Sequence, residues 1–361
     1  MYGWKTSRKI VVIESDDWGS ERTPTKKAYN DMLAAGLRVD LCPFSKFDTI
    51  ESDEDLIALY EVLGNNKDKN NRSAVMTANF NLANPDFEKI RENDFQNYFS
   101  LNYEQTLDKY QGRNNVKELL EEGIKNQLVF PQYHGREHLN PHIWLDEIRA
   151  GNKGLQLAFN SDVYGIGRAV TSDIKKLHLA ALLFRDVDEE RLIMDSLEDG
   201  YNYFSKFFKY NSESFIAPVY TWNEKIEQQL LKLDINIIQS SYYQKYFSPY
   251  HIMDYKLKFK TMGSTNPDGQ TYTVRNSVFE PSISPNRDNV GACLQSINAA
   301  FLMHAPAIIS THRLNYMGSL EESNRNNNLN SLNELLSKIL KRWPDVEFMN
   351  SAELGKLMRG R

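Results

Sequence analysis

Cysteine is scarce in this chain of 361 residues, which contains only Cys42 and Cys293. Two cysteines are too few for the disulfide framework of a small secreted protein, and this number suits a reducing compartment. No stretch approaches the roughly 20 apolar residues of a membrane-spanning helix, so no integral membrane segment is expected. The amino-terminal region also lacks the apolar core of a signal peptide. The chain as written has the features of a cytoplasmic protein, although one trimmed of its export signal would look the same.

No basic stripe stands out in the sequence. The 43 basic and 48 acidic residues give a net charge of −5. Nucleic acid is therefore not expected as a partner. The hydrophobic share of 41%, with 19 tyrosines and 18 phenylalanines, is sufficient for a substantial core. The length exceeds that of a usual single domain but fits one large α/β barrel with insertions.

The most informative stretch covers residues 9–19. Four β-favouring apolar residues at positions 10–13 predict a strand buried on both faces, as in a parallel sheet. Asp16 and Asp17 follow at the carboxyl end of this strand, which is where active sites lie in parallel sheets and barrels. Neighbouring side chains of an extended strand point in different directions, so one carboxylate can hold a metal while the other handles protons. A pair of aspartates also commonly caps a following segment, and the pair alone favours that simpler interpretation.

Predicted strands alternate with predicted helices along the rest of the chain. The predicted strands cover residues 10–13, 73–78, 127–132, 214–217, 235–240, 272–279, 307–311 and 346–349. The clearest predicted helices cover residues 25–35, 53–63, 116–122, 174–184, 189–208, 223–233 and 331–342. This alternation implies right-handed crossovers and a parallel sheet or barrel.

Two histidines follow the third predicted strand, at positions 134 and 138. If the segment forms one helical turn, both rings lie on one face with Cβ atoms about 6 Å apart, close enough to share a metal. Two histidines at this spacing are most often surface residues, but these two come directly after a predicted buried strand. A catalytic zinc-type centre needs at least one more ligand, and Asp17 is the natural anionic one. Asp16 would then lie beside the metal, placed to take a proton from water.

Two more histidines need interpretation. His312 follows the apolar strand predicted at 307–311, and a core histidine satisfied by hydrogen bonds is the simpler explanation for it. An amide-cleaving site, however, needs a group that protonates the departing amine, which makes His312 a candidate general acid. His142 continues the spacing of the histidine pair, but Pro141 interrupts a helix that would include it. We interpret His142 as structural or as supporting a ligand.

With these features the chain resembles the polysaccharide deacetylases, carbohydrate esterase family 4. The paired aspartates in the segment 15–19 match the first family motif, and His134 and His138 match the second. The segment 217–220 is similar to the third motif, and the strand that ends in His312 is similar to the last. The segment 346–354 resembles the final strand and helix. The resemblance spans nearly the whole chain in the correct order, and the paired aspartates and paired histidines are its most specific elements.

The resemblance implies a fold and an activity. The fold would be α/β, a distorted (β/α)7-type barrel with long helical insertions. One domain would cover residues 1–361, with insertions near 84–125 and 139–210. The activity would be hydrolysis of an acetyl group from an N-acetylated or O-acetylated sugar or polysaccharide. The sugar, its length and the oligomeric state stay open.

The resemblance also implies roles for particular residues. One divalent metal ion, zinc foremost, would be held by Asp17, His134 and His138. Asp16 would be the general base and His312 the general acid. The backbone N–H of Tyr220 would help to hold the oxyanion. Three aromatic residues could offer ring faces to a sugar, namely Trp18, Tyr220 and Trp222.

The chain departs from the family pattern at an important position. Where the family has an arginine that orients the catalytic aspartate, this sequence has Ala217. Four arginines could replace the missing guanidinium, and the sequence does not choose among them: Arg22, Arg185, Arg275 and Arg313. The missing arginine leaves room for a non-catalytic carbohydrate-binding barrel with a degenerate site.

A metallopeptidase is the other alternative. The segment 134–138 also fits the H-x-x-E-H pattern of inverzincins, with Glu137 as the base. That pattern needs a sustained helix, and Gly135 within the segment and Pro141 just after it argue against one. It also leaves the paired aspartates and His312 without a role.

Overall fold

The computed structural model describes residues 3–174 and 177–360. The strands are β1 Ile10–Trp18, β2 Met76–Phe80, β3 Ala83–Pro85, β4 Ser100–Asn102, β5 Val129–Tyr133, β6 Ser214–Ile216, β7 Ile237–Ser240, β8 Tyr243–Tyr246, β9 Lys256–Phe259, β10 Thr271–Val274, β11 Ser277–Val278, β12 Ala307–His312 and β13 Glu347–Met349. The α-helices are α1 Lys26–Ala34, α2 Pro43–Phe47, α3 Asp53–Asn65, α4 Phe87–Glu92, α5 Tyr103–Leu107, α6 Val116–Lys125, α7 Pro141–Arg149, α8 Lys153–Phe159, α9 Val187–Phe208, α10 Glu224–Lys232, α11 Asn289–Leu302, α12 Glu322–Arg342 and α13 Ser351–Met358.

The main sheet is a barrel with seven strand positions. Its parallel strands follow the order β10, β7, β6, β5, β2, β1, β12 and β11. Only Arg275 and Asn276 separate β10 from β11; β10 pairs with β7, whereas β11 pairs with β12. The segment 271–278 therefore links the two ends of the sheet and closes it. The predicted α/β fold, a distorted (β/α)7-type barrel, is confirmed.

The apolar run at the start of β1 is buried on two sides, as its sequence predicts. Val11 and Ile13 belong to the large core cluster shared with helices α3 and α12. Ile10 and Val12 belong to a separate cluster that includes Leu354 of α13 and residues of β10 and β12. Because alternate residues of a strand share a face, Glu14 and Asp16 continue the face of Ile10 and Val12. The same face thus runs from an apolar end into charged groups.

A further apolar cluster connects α1 with the segments predicted as insertions. It joins α1, α4, α7, α8 and the loop 163–174, with Trp144 and Phe159 near its centre. Phe87 packs edge-on against both of these rings. The loop in turn meets Arg22, because a Cβ at Gly165 would lie 2.8 Å from Arg22 Cδ. The glycine permits this close approach.

Several sequence predictions of helices need correction. The helix predicted at 174–184 is wrong where the structure describes it, because residues 177–184 form turns, and Lys175 and Lys176 lie outside the described residues. Helix α12 begins earlier than the helix predicted at 331–342 and also includes residues 324–330. Its polar side chains have tertiary partners, since Asn324 donates to the Leu314 carbonyl and accepts from Ser282. The antiparallel pair β3–β4, the β8–β9 hairpin and helix α11 were not predicted.

No helix in the described ranges 3–174 and 177–360 has both the length and the apolar character needed to cross a bilayer.

Two glycines on the packed helices α3 and α6 predict opposite effects of the same substitution. A Cβ at Gly123 would lie 2.4 Å from the Tyr60 ring and 2.8 Å from Val129 Cγ1, whereas at Gly64 the nearest atom is Leu128 Cδ2 at 3.9 Å. We expect Gly123→Ala to lower the free energy of unfolding by about 1–3 kcal/mol through overpacking. Gly64→Ala should raise it by up to about 1 kcal/mol, because alanine is the better helix former. Urea unfolding followed by circular dichroism measures both changes, and stabilisation by both variants would contradict the close packing of α6.

Candidate active site

A β-bulge at the end of β1 turns both aspartates into one cavity. The pairing of β1 with β2 shifts register between Ser15 and Trp18. Within the bulge Asp17 has a φ of 72°, in the left-handed region that residues other than glycine rarely occupy. Bulges at the rims of barrels re-aim side chains in this way. Asp16 and Asp17 consequently line the same cavity rather than opposite faces of an extended strand.

His134 and His138 reach Asp17 from a loop and not from a helical turn. The segment after β5 is not helical, and Gly135 has a φ of 102°. The predicted helical turn is therefore wrong, but both histidine side chains lie next to Asp17, as predicted. Nε2 of each histidine lies 3.4 Å from Asp17 Oδ1. One possible ligand atom from each of the three residues lies within 4.8 Å of the other two.

The chemistry of this triad fits a divalent metal ion. Nδ1 of His134 lies 2.8 Å from the Ile216 carbonyl oxygen, so it carries the proton that it donates there and leaves a lone pair on Nε2. This Nε2 atom is buried without a hydrogen-bond partner among the described residues. Burial and then the Arg22 guanidinium lower the pKa of His138 to about 3, which keeps its imidazole neutral. Two neutral imidazoles and one carboxylate are a ligand set of catalytic zinc sites.

Arg22 holds the third ligand of the triad in place. Its Nη2 donates to Asp17 Oδ2 at 3.0 Å, while Asp17 Oδ1 faces the two histidines. Burial alone would raise the pKa of Asp17, but the Arg22 guanidinium holds it well below its usual range. The guanidinium lies between aromatic rings, 5.6 Å from the centre of Phe44 and 5.9 Å from that of Tyr164. Asp17 is therefore ionised and oriented without a metal ion.

Of the four candidate arginines, Arg275 is the one that contacts Asp16. It contacts both oxygens of Asp16, with Nη1 to Oδ2 at 2.6 Å and Nη2 to Oδ1 at 2.7 Å, and its Nε donates to Glu14 at 2.6 Å. Asn79 also donates to Asp16 Oδ1, at 2.8 Å. Burial alone would raise the pKa of Asp16, but Arg275 lowers it to about 2. Asp16 is thus ionised throughout the physiological range.

The other three candidate arginines have different partners. Arg22 pairs with the ligand Asp17 rather than with Asp16. Arg313 is fully buried and binds Asp48 and Glu51. Arg185 forms its ion pairs with Asp146 and Glu189. The choice among the four depends on contacts between residues far apart in the sequence.

His312 is paired with an acidic residue that sequence analysis did not single out. Its Nδ1 lies 2.6 Å from Glu280 Oε1, and the other carboxylate oxygen accepts a hydrogen bond from Asn315 at 2.7 Å. Burial lowers the pKa of His312, but Glu280 outweighs it and the pKa rises to about 9. The imidazole is therefore protonated at neutral pH. Glu280 comes two residues after β11, a position similar to that of the aspartates after the apolar run of β1.

The cavity around these groups has a volume of about 270 Å³. Apolar side chains form much of its wall, including Phe44, Leu179, Val219 and Tyr220. The Tyr220 hydroxyl lies 3.2 Å from Arg275 Nη1, so this ring lies beside the Asp16 pair. The backbone N–H of Tyr220 donates to the Ala217 carbonyl at 3.0 Å. It is therefore engaged, and the expectation that it holds an oxyanion is corrected.

Two predicted substrate contacts are also corrected. Trp18 is fully buried and its indole N–H donates to Ser15 at 2.9 Å. Trp222 is 2% exposed, and its indole N–H donates to Glu227 at 2.8 Å. Neither ring lines the cavity. Both are core residues with satisfied polar atoms, and of the three aromatic candidates Tyr220 alone is part of the wall.

Glu137 faces away from the triad. It pairs with Arg136 at 2.8 Å and lines a different cavity of about 440 Å³, together with His142. The absence of a helix at 134–138 and the direction of Glu137 remove the geometry that the metallopeptidase interpretation needs. His142 likewise lies apart from the triad, at the start of α7.

No family model and no curated protein sequence matches this chain. Solved structures do match. A protein from Parabacteroides distasonis, provisionally described as a glycoside hydrolase/deacetylase, has a TM-score of 0.52 and 11% identity over 98% of this chain and 72% of that one. A provisionally assigned polysaccharide deacetylase from Mycobacterium smegmatis has a TM-score of 0.45 and 10% identity over 99% and 93%. A 4-alpha-glucanotransferase from Thermococcus litoralis has a TM-score of 0.45 and 10% identity over 96% of this chain, which spans only 40% of that protein. The chain therefore shares its fold with the protein described as a glycoside hydrolase/deacetylase.

The triad predicts how metal binding responds to single substitutions. We expect His134→Ala and His138→Ala each to abolish stoichiometric zinc binding, because the two remaining ligands hold the ion weakly. Glu137→Gln is the matched control, since this residue belongs to the same loop but faces the other cavity, and it should retain the metal. Elemental analysis of zinc-loaded protein after gel filtration measures the occupancy. Full occupancy in both histidine variants would remove the triad as the metal site.

Proposed function

We propose that this protein is a metal-dependent hydrolase that removes an acetyl group from an N-acetylated or O-acetylated carbohydrate. The observation that carries the proposal is the meeting of three features in one cavity at the carboxyl edge of the barrel. These are a buried Asp-His-His triad, an ionised aspartate held by an arginine, and a protonated histidine held by a glutamate. The barrel likeness to a protein described as a glycoside hydrolase/deacetylase supports the same chemistry.

A divalent ion bound at Asp17, His134 and His138 would supply a Lewis acid that polarises the acetyl carbonyl and acidifies water in the site. Asp16 accepts a hydrogen bond from the attacking water and takes up the proton that leaves it. Because Arg275 and Asn79 already contact this carboxylate, its orientation is set before substrate binds. Its pKa of about 2 makes it a weak base, so its contribution is positioning as well as proton transfer.

His312 donates a proton to the departing group. An amine leaves poorly as an anion, and a protonated imidazole in the same cavity removes that barrier. Glu280 maintains the charged form and fixes which nitrogen faces it, so the opposite ring nitrogen carries the transferable proton. The edge of Phe44 packs against the imidazole with ring centres 5.3 Å apart and limits its rotation.

The cavity size suits a small reacting unit. Its volume of about 270 Å³ is at the lower end of ligand pockets, which commonly measure about 300–1,000 Å³. We propose that it admits the acetyl group and the sugar unit that carries it. The contact between Arg275 and Asp16 also supports an enzyme rather than a non-catalytic binding barrel, because Arg275 supplies the guanidinium that is missing at Ala217.

Acetate release from a panel of N-acetylated and O-acetylated saccharides tests this function. We expect zinc-loaded wild type to release acetate and chelator-treated protein to lose this activity. Asp16→Asn should keep the metal but lower the rate by about 10²–10⁴-fold, because proton transfer from water is lost. Asp199→Asn, an exposed acidic position, is the control and should keep full activity. Metal-loaded wild type without acetate release from any acetylated saccharide would refute the proposed function.

The ion pair of His312 predicts a pH effect of a distant substitution. Glu280→Gln removes the group that raises the pKa of His312 most, while burial continues to lower this pKa and the Asp17 and Asp16 carboxylates continue to raise it. Because the acid must be protonated, the alkaline limb of kcat/KM for an acetylated amine should move from near pH 9 to lower pH. An activated aryl acetate, whose leaving group needs no proton, is the matched control substrate and should be little affected. Glu322→Gln, on the exposed first turn of α12, is the control variant. An unchanged alkaline limb would exclude His312 as the acid.

A further inference from the structure

The β8–β9 hairpin presents exposed apolar side chains to solvent. Tyr243 lies opposite Phe259 in the antiparallel ladder, and Lys245 lies opposite Leu257. We define the outer face of the hairpin as Tyr243, Met253, Tyr255, Leu257 and Phe259, whose exposed fractions lie between 50% and 84%. Residues 255, 257 and 259 share one face because they alternate along β9 and its approach. Contiguous exposed apolar surface of this kind marks an interaction site rather than a solvated face.

Lysines lie on both faces of the hairpin: Lys245 lies opposite Leu257 and shares its face, whereas Lys256 and Lys258 alternate with Leu257 and Phe259 and point to the other face. Lys245, Lys256 and Lys258 are exposed and Lys260 is half-buried. Residues 243–260 contain one acidic residue, Asp254, so the hairpin is positive in a chain whose net charge is −5. A local charge opposite to that of the whole molecule favours an anionic partner.

The base of the hairpin is fixed beside the mouth of the catalytic cavity. The hairpin leaves the carboxyl end of β7, at the edge of the barrel where the triad lies. Gln244 donates to the Trp222 carbonyl at 2.7 Å, and Lys245 forms a β-bridge with Thr221, next to the cavity residue Tyr220. The outer face therefore projects from a rigid base close to the cavity.

The connection between β8 and β9 packs against residues 180–184, which follow the cavity residue Leu179. Phe247 belongs to a small apolar cluster with Ala180 and Leu183, and Tyr250 packs against Phe184 with ring centres 5.7 Å apart. These residues surround the segment that places Leu179 in the cavity wall. Both β8 and the connection that follows it therefore pack against segments at the rim of the cavity.

Folding requirements explain only part of this surface. Edge strands often carry lysines that prevent pairing with other chains, which accounts for the lysines of β9. It does not account for five large apolar side chains left in water. A carbohydrate platform would use ring faces, but Met253, the most exposed residue of the set, and Leu257 are aliphatic. Aliphatic and aromatic side chains next to several lysines are the composition of elements that lie in the interface of anionic bilayers.

We propose that the β8–β9 hairpin docks this protein peripherally on an anionic lipid surface. The outer face enters the boundary between headgroups and acyl chains, and the lysines contact the lipid phosphates. Docking in this orientation sets the mouth of the cavity near the membrane surface. The inference does not depend on the proposed hydrolase activity, since lipid binding and acetate release are measured separately.

Vesicle co-sedimentation of the full chain tests this docking. We expect binding to vesicles of phosphatidylcholine with phosphatidylglycerol, much weaker binding to phosphatidylcholine alone, and weakening by salt. The double variant Met253→Glu with Leu257→Glu should lower the vesicle affinity at least about tenfold, because the inserted apolar surface becomes charged. The double variant Lys256→Glu with Lys258→Glu should cause a loss of roughly tenfold or more on anionic vesicles.

Matched substitutions outside the hairpin complete the design. Leu302→Glu replaces a leucine that is 72% exposed at the end of α11, and Lys27→Glu replaces an exposed lysine of α1. Both controls should bind vesicles as wild type does, and circular dichroism should show the same melting for all variants. No binding to anionic vesicles, or equal binding by wild type and both hairpin variants, would overturn the proposal. Selective binding of the hairpin to a soluble anionic polysaccharide, or dimerisation that the hairpin variants abolish, would overturn it in favour of that partner.

Discussion

The structure depends on one buried guanidinium, that of Arg275. Glu14 and Asp16 extend from β1 into the buried interior of the barrel, where a carboxylate such as Asp16 could not stay charged without a counter-ion. Arg275 contacts both carboxylates, and it lies at the point where the backbone changes partner strand. Its own N–H pairs with Ser240 of β7, and the next residue, Asn276, pairs with Ile308 of β12. The interaction that keeps the candidate base ionised is therefore part of the closure of the barrel.

The active-site groups follow a common electrostatic arrangement. Each ionised group has a dedicated partner of opposite charge, with Asp16 on Arg275, Asp17 on Arg22 and His312 on Glu280. These pairs set the protonation states in advance, because the interior offers little water to do so. Among the described residues, the carboxylate that faces the two triad histidines is that of Asp17. Burial and Arg22 keep His138 neutral, which is the state that a metal ion requires of imidazole.

The strands of the barrel and the segments that connect them contribute different residues to the site. Strand ends supply the ionisable groups, because parallel strands bring their carboxyl ends to one edge. Segments that connect the strands supply wall residues, among them Phe44 of α2, Gly165 and Leu179. The hairpin that leaves β7 adds an exposed surface at the same edge. The ionisable groups of the site and much of the wall around them therefore come from different parts of the chain.

The sequence by itself determined the parallel α/β barrel, since runs of apolar β-formers and periodic helices are local patterns that survive any tertiary arrangement. It also determined that Asp16, Asp17, the histidine pair and His312 meet at one edge, because each follows a predicted strand. Tertiary structure alone selected Arg275 and Glu280, which lie 259 and 32 residues from the side chains that they pair with. It also placed Trp18 and Trp222 in the core, because the exposure of a ring depends on distant packing. The histidine ligands meet through a loop, since their contact needs only the right distance and not a helix.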